Sequence, residues 1–193
     1  MSDQDAWPAW ATEKVVVVPA DPRWAQQGAE LAREVERLLG PRDGGDGDGD
    51  GDAPGLLTSA VRHVGSTAVP GLDAKPVLDL LGTVASLDVA PAAADRLRPR
   101  GWHWVPPELD GRPHERFLVQ ADGDSRTAHL HLYLHGDPRP DRMAAFRDLL
   151  RADPALAARY GALKRRLGVE HAGDREAYTR AKSSFVEAAL AGA

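Results

Sequence analysis

The order of its predicted elements assigns this chain to the α+β class, with a mixed or antiparallel sheet flanked by helices. Short apolar runs typical of strands lie between residues 58 and 135 and are joined by turn-rich links, a pattern that favours an antiparallel or mixed sheet. Beyond Gly136 apolar residues recur at helical spacing instead. We therefore predict an α/β core over residues 1–136 and a helical part over residues 137–193 packed on it.

The first predicted elements are a strand-like run and an amphipathic helix. Residues 15–18 are all valine, which predicts a first strand or an extended arm laid on the domain. Asp21 and Pro22 predict a helix start, because Asp can cap a helix and Pro is tolerated at its first position. Apolar residues at helical spacing continue to about Leu39, so this helix should pack on the sheet. They are Trp24, Leu31, Val35 and Leu38.

Residues 42–55 are too rich in Gly and Asp to bury a core, and we interpret them as a disordered loop insertion. Asp46, Asp48 and Asp50 imitate the start of an EF-hand calcium loop. The twelfth position is Leu57, however, where such a loop needs a bidentate Glu. The spacing therefore argues against calcium.

The remaining elements follow from alternation, turn residues and helical spacing. Strands are predicted at residues 58–64, 76–84, 102–105, 115–120 and 127–135, and a helix at residues 86–98. Three apolar sets predict three C-terminal helices: Met143, Phe146, Leu149 and Leu150; Leu156, Tyr160, Leu163 and Leu167; Tyr178, Ala181, Phe185 and Ala189.

The composition excludes several classes of function. The apolar share is 42% and the net charge is -5, without the basic excess on which duplex DNA binding relies. The absence of cysteine excludes disulfides, thiolate metal sites and a cysteine nucleophile. The N-terminus is acidic and interrupted by proline, and no apolar run approaches the ~20 residues of a membrane span. We expect a cytoplasmic protein that binds neither duplex DNA nor a membrane, and no protein partner is indicated.

The strand at residues 127–135 carries two kinds of side chain. Its leucines fall on one face, whereas His129, His131, Tyr133 and His135 fall on the other. Side chains two residues apart lie roughly 6.5–7 Å apart along a strand, which is a ligand-like spacing for two imidazoles. The alternative is that the histidines lie on a solvated face of the sheet.

The loop before the second predicted strand has the residues of an anion-binding turn. Gly65 allows a tight turn, Ser66 and Thr67 offer hydroxyls and N–H groups, and Lys75 can add a positive charge. No G-x-x-x-x-G-K-[ST] loop occurs in the chain, and no G-x-G-x-x-G precedes a helix. P-loop kinase and dinucleotide-binding functions are therefore disfavoured.

Asp79 shares a strand face with Val77 and Leu81, so a carboxylate is inserted among apolar side chains. A buried carboxylate needs a partner, a metal ion or a proton. A salt bridge to Arg62 or Lys75 would satisfy it without any ligand.

Three segments resemble the GrpB family: HVGSTAVPGLDAKPVLDL, FRDLLRADPALAARYGALKRRL and YTRAKSSFVEAAL. The resemblance covers nearly the whole chain outside the acidic loop and implies a nucleotidyltransferase-like fold. The signature of that superfamily is matched by Gly65-Ser66 and by Asp79, with twelve residues between Ser66 and Asp79. Where the superfamily has its second metal-binding carboxylate, however, this chain has Leu81.

The resemblance implies a phosphate or nucleotide site with a divalent metal ion such as Mg²⁺, Mn²⁺ or Zn²⁺. His129 and His131 are the local candidates for the later metal ligand, and two imidazoles with Asp79 suit one transition metal better than Mg²⁺. The catalytic candidates are Asp79, Ser66 and Lys75. The phosphate-binding candidates are Gly65, Ser66, Thr67, Lys75, Arg116, Lys164 and Lys182.

Three functions remain open. The chain could transfer a nucleotidyl group, or it could bind a nucleotide or phosphate as a non-catalytic module that has lost the acid cluster. Thirdly, Asp79 and the histidines could form a hydrogen-bonded structural network without a ligand. His63 and Glu115 are weaker candidates beside the predicted site.

Overall fold

The structure is a computed structural model that describes residues 9–12, 16–40 and 55–192. The predicted acidic loop at residues 42–55 lies outside the described residues except for Gly55, and so does Val15. None of the described helices is long and apolar enough to cross a lipid bilayer.

A five-stranded mixed sheet lies at the centre of the fold, as predicted. Its strands are β1 (Arg62–Val64), β2 (Leu78–Val84), β3 (Trp102–Val105), β4 (Glu115–Asp122) and β5 (Ser125–Leu134). Their order across the sheet is β1-β2-β5-β4-β3. Only β2 and β5 run parallel, while the other neighbours are antiparallel.

In the part of the chain that the structure describes, six α-helices flank this sheet. They are α1 (Trp24–Leu39), α2 (Ala90–Leu97), α3 (Pro107–Asp110), α4 (Arg139–Ala152), α5 (Pro154–Glu170) and α6 (Arg175–Ala191). The main core forms between one sheet face and helices α1 and α2, where Leu130 and Leu132 of β5 are fully buried together with Val35, Leu39 and Leu97. The α+β class is therefore confirmed.

Several predicted boundaries were wrong by a few residues. Helix α1 begins at Trp24 because Asp21 and Pro22 form a turn before it, in which a side-chain oxygen of Asp21 accepts a hydrogen bond from the backbone N–H of Arg23. The helix predicted at residues 86–98 consists of a 3₁₀ turn, Leu87–Val89, followed by α2. The predicted arm at residues 15–18 makes one isolated bridge, between Val18 and Ala74.

The strand predicted at residues 58–64 is regular only at Arg62–Val64. Before that point the chain is tied to β2 by single contacts. The Thr58 and Thr83 hydroxyls lie 2.9 Å apart, and Ser59 Oγ accepts a hydrogen bond from the Thr83 N–H. Together with the isolated bridge between Leu57 and Val84, these bonds continue the contact with β2 beyond the regular strand.

The second face of the sheet carries the histidines and is not solvated. Tyr133 packs with Val64, Leu81 and Met143, so that helix α4 covers the part of the face beside β1 and β2. Helices α5 and α6 pack in turn on α4. An aromatic cluster of Phe146, Tyr160 and Phe185 joins the three helices.

Candidate functional site

The parallel pairing of β2 and β5 brings Asp79 and the two histidines together. Asp79 lies opposite His129, and Leu81 lies opposite His131. His129 Nδ1 is 2.9 Å from Asp79 Oδ1, and His131 Nε2 is 3.9 Å from the same oxygen. One ligand atom from each of the three residues lies within 4.8 Å of the other two. The three predicted metal ligands therefore form one cluster, which we call the Asp-His cluster.

Glu115 of β4 extends this cluster on the far side of His131. His131 Nδ1 donates a hydrogen bond to Glu115 Oε2 at 3.0 Å, and Arg112 donates to the other oxygen at 2.9 Å. The Glu115 residue is only 5% exposed. Phe117 packs beneath both imidazoles, with ring centroids 5.0 and 5.1 Å away from His129 and His131. His131 thus lies between two carboxylates, in a position set by its neighbours.

The charges of the cluster follow from these contacts. Burial by itself lowers the pKa of His131, but its interactions with Asp79 and Glu115 outweigh burial and raise the pKa to about 9. Burial by itself raises the pKa of each carboxylate, but the histidines hold the pKa of Asp79 well below its ordinary value and lower that of Glu115 to about 2. At neutral pH both acids are therefore ionised and His131 carries a proton.

His129 behaves differently from its neighbour, because burial dominates and lowers its pKa to about 4. The neutral ring donates from Nδ1 to the ionised carboxylate of Asp79, so its Nε2 atom carries a lone pair. That atom is buried, and within the part of the chain that the structure describes it has no hydrogen-bond partner. A buried acceptor without a partner is uncommon in a native protein and needs an explanation.

The Asp-His cluster fits one transition metal ion. Two imidazoles and a carboxylate are the donor set of Zn²⁺ or Mn²⁺ rather than of Mg²⁺. The ion would have to displace the proton of His131, because only a neutral imidazole binds a metal. The atoms that face one another and could hold the ion are Asp79 Oδ1, His129 Nδ1 and His131 Nε2, and the Asp79 side chain is 30% exposed. Among the described residues no second group of three ligands could hold another ion, and Leu81 beside the cluster is 1% exposed and packs among apolar side chains.

Gly65 determines how closely the loop approaches the cluster. Its φ is +73°, and a Cβ at this position would lie 2.3 Å from Oδ2 of Asp79. The next residues, Ser66–Ala68, form a 3₁₀ turn. Ser66 lines the cavity described below, and Tyr160 of α5 belongs to the same wall. The Thr67 hydroxyl is buried and donates to the Val77 carbonyl at 3.2 Å, so that Thr67 holds the loop in place rather than facing a ligand.

A cavity of about 370 Å³ lies between this loop and the C-terminal helices. Gly65, Ser66 and Tyr133 line it on the side of the sheet. The helices contribute Arg139, Arg142, Met143, Phe146, Arg147, Leu150, Tyr160, Val186, Glu187 and Leu190. The cavity thus combines an apolar interior with three arginines. It adjoins the Asp-His cluster through Gly65, and Tyr133 of its wall lies opposite Glu115 in the pairing of β4 with β5.

The chain matches the family model described as "GrpB protein" over residues 14–191. The chain belongs to the GrpB family. A UPF0157 protein of Pseudomonas aeruginosa is 34% identical to this GrpB-family chain over 192 residues, which cover 95% of the chain and 69% of the relative. The UPF0157 protein YqkA of Bacillus subtilis is 28% identical over 91% of the chain. The chain spans about half of the length of that relative, namely 46%.

The GrpB fold has also been solved by crystallography. The crystal structure of conserved protein GrpB from Enterococcus faecalis matches this structure with a TM-score of 0.72 and 27% sequence identity. The match covers 92% of this chain and 96% of that one.

Other predicted site residues lie apart from the cavity of this GrpB-family protein. Arg116 pairs across the sheet with Leu132 and therefore lies on the opposite face from Asp79, where it donates to the Glu115 carbonyl at 3.0 Å. Lys75 is half-buried and is not among the described residues that line the cavity. Strand parity explains the position of Arg116, because adjacent residues point to opposite faces.

The two helix lysines contact aromatic rings. The buried Lys164 ammonium donates to the Asp73 carbonyl and lies 5.0 Å from the Tyr160 ring centroid. Burial and the neighbouring charge of Lys182 lower the pKa of Lys164 to about 7. Lys182 lies 4.2 Å from the Tyr178 ring centroid. Neither lysine is among the described residues that line the cavity.

The sequence did not lead us to predict the three cavity arginines, and it indicated Glu115 only as a weaker candidate. Arg139, Arg142 and Arg147 recur on α4 together with Met143 and with further apolar residues of the cavity wall, at the spacing of one helix face. That mixed basic and apolar face was visible in the sequence. What the sequence lacked was the information that this face turns towards the Gly65 loop.

Proposed function

We propose that this GrpB-family protein binds a phosphate-bearing small molecule, a nucleotide, in the cavity and one divalent transition metal ion at the Asp-His cluster. The proposal rests on one observation, namely that the cavity and the Asp-His cluster lie next to each other. Gly65 and Tyr133 line the cavity. Gly65 also adjoins Asp79 of the cluster, and Tyr133 lies opposite Glu115, the partner of His131. A ligand in the cavity would therefore lie beside the cluster.

The chemistry of the cavity supports an anionic ligand with an apolar part. Arginine forms bidentate, charge-assisted hydrogen bonds with phosphate, and three arginines line this cavity. Phe146, Tyr160 and Tyr133 offer aromatic surface to a flat base. A volume of about 370 Å³ lies within the range of small-molecule sites.

Asp79, His129 and His131 would hold the metal ion. A bound divalent ion neutralises phosphate charge and acts as a Lewis acid. The protein residues would do the rest of the binding: the arginines and Ser66 orient the phosphates, and the apolar helix faces exclude water.

Nucleotidyl transfer is the second candidate function, and the position of Asp79 beside the cavity favours it. An acceptor hydroxyl oxygen would bond to the α-phosphorus of a nucleoside triphosphate, pyrophosphate would leave with the bridging oxygen, and the hydroxyl proton would pass to solvent. In that reaction Ser66 would position the phosphate, and the cavity arginines, rather than the more distant Lys75, would offset its charge. The apolar surroundings of Leu81 favour simple binding instead, because two-metal catalysis needs a further carboxylate there.

The test is a thermal-shift experiment on metal-free protein. Mn²⁺, Mg²⁺ and Zn²⁺ are added alone and together with ATP, GTP, CTP or UTP. A nucleotide at 100 times its dissociation constant stabilises the protein by roughly 2.7 kcal/mol. We expect the metal-dependent shift to disappear in both Asp79→Asn and His131→Ala but to remain in His135→Ala, since His135 is exposed at the end of β5.

An unchanged shift in both cluster variants would refute the shared metal site, and a lack of shift with every nucleotide in the wild type would refute nucleotide binding. Circular dichroism checks that the variants are folded. Pyrophosphate release in the presence of Mn²⁺ and each triphosphate separates the two candidate functions, because binding alone releases none.

A further inference from the structure

We infer that Arg142 is a phosphate-binding residue of the cavity and that Glu187 competes with the ligand for it. The ligand phosphate would replace the Glu187 carboxylate as the partner of Arg142, so that Arg142 selects nucleoside phosphates over uncharged nucleosides and Glu187 limits their affinity. This inference rests on the proposed function and adds to it the class of ligand that the cavity prefers.

The ion pair crosses the cavity wall from one helix to another. Arg142 belongs to α4 and Glu187 to α6, and both line the cavity. One terminal nitrogen of the guanidinium lies 2.6 Å from Glu187 Oε2. The two side chains are 51% and 67% exposed, so the pair is in contact with solvent.

The other two cavity arginines are held by nearer neighbours. Arg147 donates to Asp148, the adjacent residue, and to the His63 carbonyl at 2.9 Å. Arg139 is paired with Asp137, two residues before it. Of the three arginines in the described cavity wall, only Arg142 is paired with an acid that itself lines the cavity.

A ligand phosphate that replaces Glu187 as the partner of Arg142 forms the stronger interaction, so the cavity favours an anionic ligand. An ion pair between exposed side chains contributes little, because water and salt screen it. A phosphate group offers a guanidinium two parallel hydrogen bonds and more negative charge than a carboxylate. A ligand without phosphate would leave the pair intact and gain nothing from Arg142. Glu187 therefore repels the ligand phosphates in the free protein, and it limits their affinity.

The apolar walls beside the pair argue for a nucleoside phosphate rather than inorganic phosphate alone. Met143, Phe146 and Leu150 of α4 face Val186 and Leu190 of α6 across the cavity. These side chains can bury a base, but they offer hardly any hydrogen bonds to its edge. We therefore expect affinity for the base without strong discrimination between bases.

The experiment measures the dissociation constants of ATP, pyrophosphate and adenosine by calorimetry at constant Mn²⁺ and low salt. In Glu187→Gln we expect ATP to bind about three- to ten-fold more tightly, because a repulsive charge and a competitor are removed. Adenosine binding should stay unchanged. Arg142→Gln should weaken ATP binding about ten-fold. Glu187→Gln should improve ATP binding less in the Arg142→Gln background than in the wild type, because it then removes only the repulsion and no longer a competitor for Arg142. In the wild type, ATP should bind more tightly than pyrophosphate.

Glu170→Gln is the matched control, because it removes the same charge from an exposed ion pair with Arg166 on α5 that does not belong to the described cavity wall. Equal ATP affinities of Glu187→Gln and Glu170→Gln would overturn the inference while leaving nucleotide binding intact. A weaker affinity in Glu187→Gln would overturn it as well. If ATP bound to no variant and not to the wild type, the proposed function would fail and this inference with it.

Discussion

Replacing Glu115 by glutamine tests the charge balance of the Asp-His cluster at nearly constant side-chain shape. The variant removes one of the two carboxylates that hold the proton on His131. Glu115 lies 3.0 Å from His131 Nδ1, whereas Asp79 lies 3.9 Å from Nε2, so that the closer partner is lost. Arg112 loses its carboxylate partner at the same time.

The structure sets the size of the effect. A rise of the His131 pKa from 6.5 to about 9 corresponds to about 3 kcal/mol of preference for the charged ring. Glu115 is the nearer of the two acids and is buried, and removing one partner of a buried pair costs about 3–5 kcal/mol in other proteins. We therefore expect Glu115→Gln to lower the free energy of unfolding by about 2–3 kcal/mol at neutral pH.

The effect should depend on pH with a definite sign. His131 has a raised pKa in the folded state, so its stabilising contribution is fully present below pH 6.5 and is lost as the pH rises through about 9. Glu115 has a lowered pKa, so its contribution is present above pH 4.5 and is lost as the pH falls through about 2. The difference between the wild type and the variant should therefore be largest near pH 5–6.5 and should shrink towards about pH 9–10.

Urea denaturation of both proteins in EDTA, between about pH 5 and about pH 10, measures this difference without interference from metal ions. Glu170→Gln is the control on the surface, and its effect should stay within about 0.5 kcal/mol. The reasoning would be refuted if Glu115→Gln lowered the free energy of unfolding by less than about 1 kcal/mol at neutral pH. It would also be refuted if the difference between the wild type and the variant grew as the pH rises above 9. Either result would show that Glu115 does not hold His131 in its charged form.

Three glycine substitutions are measured by urea denaturation. Gly65→Ala and Gly28→Ala test close contacts, and Gly71→Ala is the control for Gly65→Ala. Gly65→Ala should lower the free energy of unfolding by more than about 2 kcal/mol and abolish the metal-dependent thermal shift, because its Cβ would lie 2.3 Å from Asp79 Oδ2. Gly71→Ala has the same φ of +73° and nothing within 4 Å of the new Cβ, so a loss of about 1 kcal/mol and an intact metal shift are expected. Similar effects of both variants would contradict the contact with Asp79. Gly28→Ala should destabilise the protein by more than about 1 kcal/mol although alanine favours helices, because its Cβ would lie 2.1 Å from His63 Nδ1. A more stable Gly28→Ala protein would refute that contact.

The local patterns of the sequence were enough to predict the fold class and the two faces of the strand, whereas the grouping of Asp79 with His129 and His131 was predicted from the family resemblance. The alternation in the strand at residues 127–135 assigned Leu130 and Leu132 to one face and His129 and His131 to the other, and both assignments agree with the structure. A period of two is a property of any extended chain, so it can be read without knowledge of the partners.

The partners across the sheet could not be read in the same way. Glu115 and Arg116 are both candidate site residues in the sequence. The pairing of β4 with β5 places Glu115 in contact with His131 and Arg116 on the opposite face of the sheet. Register depends on the packing of the whole sheet, and a shift by one residue would have exchanged the two faces.

The sequence by itself thus determined which residue types occupy each strand face and helix face, because periodicity and turn chemistry act over a few neighbouring residues. Only the tertiary structure decided which of those faces meet. It placed the arginine face of α4 over the Gly65 loop and joined α4 to α6 through Arg142 and Glu187, which are 45 residues apart in the chain. Contacts over such distances follow from how helices and sheet bury their apolar faces together, and this information is not contained in any local pattern.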